Sequence, residues 1–159
     1  MRRVVASIIA LLLAHPALGQ TQAGAQRDSA IAAVRAVFQE VEASVKANHF
    51  VQHDTTVACG EDSLNQSFAM WRDSAGVVRL FDAEVGSDDS AERASYYYDA
   101  RGRLRFIFVR YGAVVGAHME ERVYYDENRH ELRRLREEND EALVFLRARH
   151  TALEPSTMV

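Results

Sequence analysis

The sequence predicts an α+β domain: an N-terminal helix packed on a curved antiparallel β-meander of five to six strands, with a short C-terminal helix. Two observations carry this. Ile31, Val34, Phe38, Val41 and Val45 recur at alternating spacings of three and four, which is one apolar stripe of a helix. Beyond Ser67 the chain breaks into short runs of aromatic and β-branched residues separated by turn formers, and links this short make a sheet antiparallel.

Taken in order, Met1-Arg2-Arg3 is a basic start and Val4 to Ala14 is an apolar run of 11 residues, too short to span a bilayer. Ala17-Leu18-Gly19 places small residues at the −3 and −1 positions of a cleavage site before Gln20. Residues 1–19 are therefore expected to be a signal peptide, and the mature chain to be periplasmic or secreted with no stable membrane span. Residues 20–27 read as a flexible polar leader. Residues 28–150 read as the single α+β domain and 151–159 as a tail.

Asp28 or Ser29 offers an N-cap for the helix, and Asn48 a stop. Residues 49–66 are poorly patterned, with Thr55 to Ala58 a candidate short strand. Strands are expected at about 67–72, 77–85, 92–99, 103–111, 117–126 and 131–136. Glu141 to Arg147 is expected to be helical.

Asp99-Ala100-Arg101-Gly102-Arg103 is a turn instruction. Asp accepts hydrogen bonds from the backbone two residues on, and Gly supplies the left-handed residue of a three-residue loop. That loop pairs Asp99 with Arg103, Tyr98 with Leu104, Tyr96 with Phe106 and Ala94 with Phe108, and leaves Tyr97, Arg103 and Arg105 on the polar face. The phrase recurs at Asp73-Ser74-Ala75-Gly76, 26 residues earlier. A looser copy at Asp126, 27 residues later, lacks the Gly and reads as one residue longer. These Tyr-Asp-x-x-Gly-x-Leu phrases resemble the hairpins of YD-type repeats in large secreted bacterial proteins, over the phrases alone.

Nineteen Lys and Arg against 23 Asp and Glu make the formal charge −4, and loss of Arg2 and Arg3 with the leader would make it −6. That balance argues against nucleic acid as a partner. Cys59 is the only cysteine, so an exported chain would have no internal disulfide. No Gly-rich phosphate loop, Gly-x-Ser-x-Gly or His-Glu-x-x-His motif is present.

Three constellations remain. His49 and His53 are four apart, and a continued helix would place both on one face as zinc or copper ligands, with Asp54, Cys59 and Glu61 within reach in sequence; as surface histidines they would suit a helix C-terminus. Arg110 and Glu121 fall on the predicted core faces of adjacent strands, where they would anchor a polar ligand or form a structural ion pair. Tyr96, Tyr98 and Tyr125 belong to an aromatic sheet surface that would bind a ring or fill a core. A helix laid into a bent sheet resembles the cone-shaped fold of NTF2-like proteins. That resemblance implies a pocket, here around Arg110 and Glu121, in a small enzyme or ligand-binding protein. Without a catalytic motif, the leading expectation is an exported binding or interaction module for a small molecule or envelope protein, with no cofactor.

Overall fold

The computed structural model describes residues 17–59 and 64–139, with the backbone alone for residues 17–21, 58, 59 and 64. Helix α1 spans Ala17–Lys46. Seven strands follow: β1 Val51–Cys59, β2 Leu64–Arg72, β3 Val78–Gly86, β4 Ser90–Tyr98, β5 Leu104–Ala113, β6 His118–Tyr125 and β7 Glu131–Glu138. They form one antiparallel sheet in sequence order. The described residues thus hold more than the expected five to six strands. The addition is β1, whose Gln52-His53-Asp54-Thr55-Thr56 lacks a strand's apolar alternation because it lies at an edge. The helix expected over 141–147 lies outside the described residues.

Helix α1 starts upstream of Asp28 and Ser29 and includes residues 20–27, which were expected as a flexible leader. That stretch has no proline, and Gln, Ala and Arg are good helix formers. Arg27 also ties it to the sheet by donating from Nε to the Leu132 carbonyl at 2.7 Å. Asn48 ends the helix as its position suggests. Its φ of 56° lets His49 N–H reach the Ser44 carbonyl at 2.9 Å while its own N–H reaches Val45 at 3.0 Å, a Schellman cap.

The apolar stripe of α1 makes the core. Ile31, Val34 and Val41 are buried against Trp71, Leu80, Tyr97, Phe106 and Tyr124, with Phe38 edge-on to Tyr97 and Phe106. Those five sheet residues form one row across β2 to β6 on the helix face. Buried Tyr97 satisfies its hydroxyl by donating to Glu42 at 2.7 Å.

Three of the hairpins share one construction. Asp73, Asp99 and Asp126 each open a three-residue loop. In each, one carboxylate oxygen accepts the N–H groups two and four residues on, at 2.7–3.0 Å. Gly76, Gly102 and Arg129 occupy the left-handed position, with φ of 80°, 73° and 67°. The third loop is therefore the same length as the others, not one residue longer, because Arg129 adopts the conformation that Gly supplies elsewhere. Arg129→Gly is expected to raise stability by about 1 kcal/mol by relieving that conformation. The measurement is a higher urea midpoint at unchanged slope.

Two pairs into each of these hairpins, a bulge adds one residue: Arg79, Arg105 and Leu132. The bulge corrects the expected register. Tyr98 does pair with Leu104, but Tyr97 then pairs with Phe106, Tyr96 with Ile107 and Ser95 with Phe108. Tyr97 and not Tyr96 enters the core, and Arg105 is buried instead of solvated.

Both buried arginines join neighbouring hairpins. Arg79 donates to the Tyr98 carbonyl at 3.2 Å and meets Glu40 of α1 at 2.8 Å. Arg105 donates to the Tyr125 carbonyl at 3.3 Å and meets its own turn Asp99 at 3.4 Å. In the last hairpin no further strand follows among the described residues, and Leu132 stands at the bulge.

Candidate functional site

Helix α1 crosses the sheet over β4 to β7. Toward β1 no α1 residue lines the same face among the described residues, and there β2 contributes two small side chains. Ala69 lies between Asp54 of β1 and Asp82 of β3, and Ser67 between Thr56 and Glu84. Small residues on the middle strand and longer ones on both neighbours leave a groove along β2. Its volume is about 240 Å³, and Gln52 and Arg93 complete its polar lining.

Asp82 is the buried member, with its side chain 7 % exposed. Arg93 of β4 donates to Asp82 Oδ2 from Nε at 3.1 Å and also from its terminal nitrogen. This hydrogen bond holds the Arg93 guanidinium above its ordinary pKa, against the opposing effect of burial. Asp82 Oδ1 is buried and has no hydrogen-bond partner among the described residues. Glu84 lies directly opposite Arg93 on the adjacent strand. Asp82 and Glu84 thus flank the Arg93 guanidinium, and Asp54 adds a third carboxylate across the groove on β1. A polar ligand carrying N–H or O–H donors is the chemistry this lining matches.

The far face of the same three strands is apolar. Phe68 and Phe81 stack with centroids 6.1 Å apart and planes within 11°, and Tyr96 follows Phe81 at 6.0 Å. His53, Thr55, Phe68, Met70 and Phe81 line a shallow hollow of about 230 Å³.

The residues expected from the sequence distribute as follows. Tyr96 belongs to this aromatic ladder. Tyr98 lies two residues on along the same face, where burial lifts its phenol above the usual range and Tyr96 adds to the effect. Tyr125 shares that face, but β5 separates it from Tyr98, and its backbone carbonyl serves Arg105.

Arg110 and Glu121 are not neighbours. Arg110 pairs with Glu120 on the helix face, whereas Glu121 pairs with Val109 on the opposite face and is bound by Arg134. The register aligns Phe106 with Tyr124, so the faces of Phe106 and Val123, taken as one in the sequence, are opposite faces. Arg110 instead lies over the Phe108 ring, 5.3 Å from its centroid. The His49–His53 pair is also undone. His49 belongs to the helix cap and His53 to β1, so no helix face unites them. Among the described residues no group of three His, Cys, Asp or Glu side chains is placed to hold a metal ion.

Of the groove residues, Asp54 was read in the sequence only as a companion of the histidine pair, and Ser67, Asp82, Glu84 and Arg93 were not singled out. A signal was present: Ser67 and Ala69 alternate with Phe68 and Met70, which marks one face of β2 as recessed and the other as aromatic. No family model, no curated protein and no solved structure matches this chain.

Proposed function

We propose that the chain is an exported, non-catalytic binding module that takes a polar ligand in the groove along β2 on the helix side of the sheet. One observation carries the reading: the buried Asp82, with one oxygen held by Arg93 and the other without a partner, lines a groove that α1 leaves uncovered. Buried acceptors without donors are uncommon and costly, and a ligand's donor would complete this one. The short apolar leader after Met1-Arg2-Arg3 supports export.

The test is thermal stabilisation of the purified full-length product by a panel of polar probes: agmatine, spermidine, glucose and citrate. At least one is expected to raise the midpoint, because a ligand that binds only the folded state stabilises it. The rise should vanish in the double variant Asp54→Asn/Glu84→Gln, whose substitutions keep shape and remove charge. A rise that survives in the double variant, or none with any probe, would remove the groove from the account. Intact mass after expression in a bacterial host should correspond to loss of residues 1–19.

A second reading has the Phe68–Phe81–Tyr96 ladder in its favour: docking of an envelope protein on the far face.

A further inference from the structure

We propose that the groove recognises an organic cation, a guanidinium or primary ammonium group, and that Arg93 occupies that cation's place in the free protein. The proposal rests on the reading of the groove as the binding surface and names its ligand class.

The charge lining the groove is the first argument. Asp54, Asp82 and Glu84 line it against the single guanidinium of Arg93. The groove is therefore anionic even with its internal ion pair formed, and it favours a positively charged guest.

The Asp82 carboxylate is the second argument. Its Oδ2 already holds a guanidinium, which shows what this carboxylate accepts. Its Oδ1 has no donor among the described residues. A carboxylate is satisfied best by a group presenting two parallel N–H donors, and guanidinium does this with charge as well as geometry.

Arg93 can also leave Asp82. Its side chain is 42 % exposed, so it is held mainly by the one carboxylate. Directly opposite it on β5 stands Arg110, and like charges facing each other on adjacent strands repel. On its other side stands Glu84, its direct neighbour on β3. An incoming cation takes Asp82, and Arg93 swings to Glu84, so neither the displaced guanidinium nor Asp82 is left without a counter-charge. Thr56 and Ser67 hydroxyls accept the guest's remaining N–H donors along the β2 floor.

A divalent metal fits less well. Such an ion needs several oxygen ligands converging on one point, and the described residues offer no such group. The volume of about 240 Å³ suits a headgroup and short alkyl stem, not a larger ring system.

Calorimetric titration of the full chain with agmatine and with N-acetyl-arginine amide tests this. Both present the guanidinium, one as a free amine and the other as a protein side chain, and the tighter of the two names the source. Binding of either is expected. Arg93→Gln, which keeps length and an amide donor but not the charge, should strengthen it by about tenfold by removing the competitor. Asp82→Asn should weaken it by about tenfold or more by removing the charge-assisted bond. Should Asp82→Asn fail to fold, Asp54→Asn/Glu84→Gln provides the same comparison at exposed positions. Agmatine should also raise the melting midpoint of Arg93→Gln more than that of the parent chain.

Unchanged or weaker binding in Arg93→Gln overturns the displacement. Stabilisation by glucose or citrate with none by agmatine overturns the cation and leaves the groove standing. No response to any probe overturns both.

Discussion

Asp99→Ala is expected to lower the folding stability by about 3–5 kcal/mol, a large share of the roughly 5–15 kcal/mol that holds a domain of this size. Asp99 is the point at which turn and core meet. One carboxylate oxygen caps the loop through Arg101 and Arg103 N–H at 2.9 and 3.0 Å. The other accepts the Arg103 guanidinium at 2.8 Å and Arg105 at 3.4 Å. Removing it leaves the buried Arg105 guanidinium with Glu127 as its remaining carboxylate, 3.9 Å away. An uncompensated buried charge is the expensive outcome, more so than the lost turn bonds. Asp126→Ala makes the comparison. It deletes the same cap, but the bulge residue of that hairpin is Leu132, so no buried guanidinium is stranded and the loss should be smaller. Urea midpoints of the two variants measure the difference.

The pH dependence follows from the same residue. Burial pushes the Asp99 carboxyl up, but the Arg103 and Arg101 backbone N–H groups and the Arg103 guanidinium outweigh it and hold the carboxyl below the usual aspartate range. A carboxyl held lower in the folded than in the unfolded chain adds stability above about pH 4, the unfolded aspartate value, and loses it as pH falls through the folded value. The stability gap between the parent chain and Asp99→Ala should therefore be full at neutral pH and narrow below about pH 4.

Phe106→Ala is expected to cost a further and independent 3–5 kcal/mol or so, through a cavity and not through charge. Its ring is buried at the middle of the helix-side row. Tyr124 lies 4.9 Å away, Phe38 5.4 Å and Tyr97 5.6 Å between centroids. Three aromatic neighbours from α1, β4 and β6 cannot all close on the space a methyl group leaves. The variant should lose helical ellipticity at lower urea than the parent. Phe108→Ala, half-buried and flanked by the Arg110 and Arg122 guanidiniums, should cost less.

The scaffold was legible where backbone chemistry dictates it. Asp99 and Gly102 announce their loop because few residues cap a turn or adopt a left-handed conformation cheaply. The 3–4 spacing of Ile31 to Val45 announces the helix for the same kind of reason. The bulges were not legible, because Arg79 and Arg105 look like exposed strand residues until the partner strand shows that one residue has no mate. That single extra residue exchanges the faces of Tyr96 and Tyr97. Arg110 and Glu121 were paired by matching faces on separate strands, and the β5–β6 register separates them. Arg129 hid the length of the third loop, since arginine rarely signals a left-handed residue. The groove escaped notice because its floor, Ser67 and Ala69, is defined by what is missing between longer neighbours.

The most direct test of the binding surface is an amide nitrogen–proton correlation spectrum of the chain titrated with agmatine. The account predicts progressive shifts confined to the groove: Asp54 and Thr56 of β1, Ser67 and Ala69 of β2, Asp82 and Glu84 of β3, and Arg93 of β4. Shifts centred on Phe68, Phe81 and Tyr96 of the far face, or on β6 and β7, would contradict it.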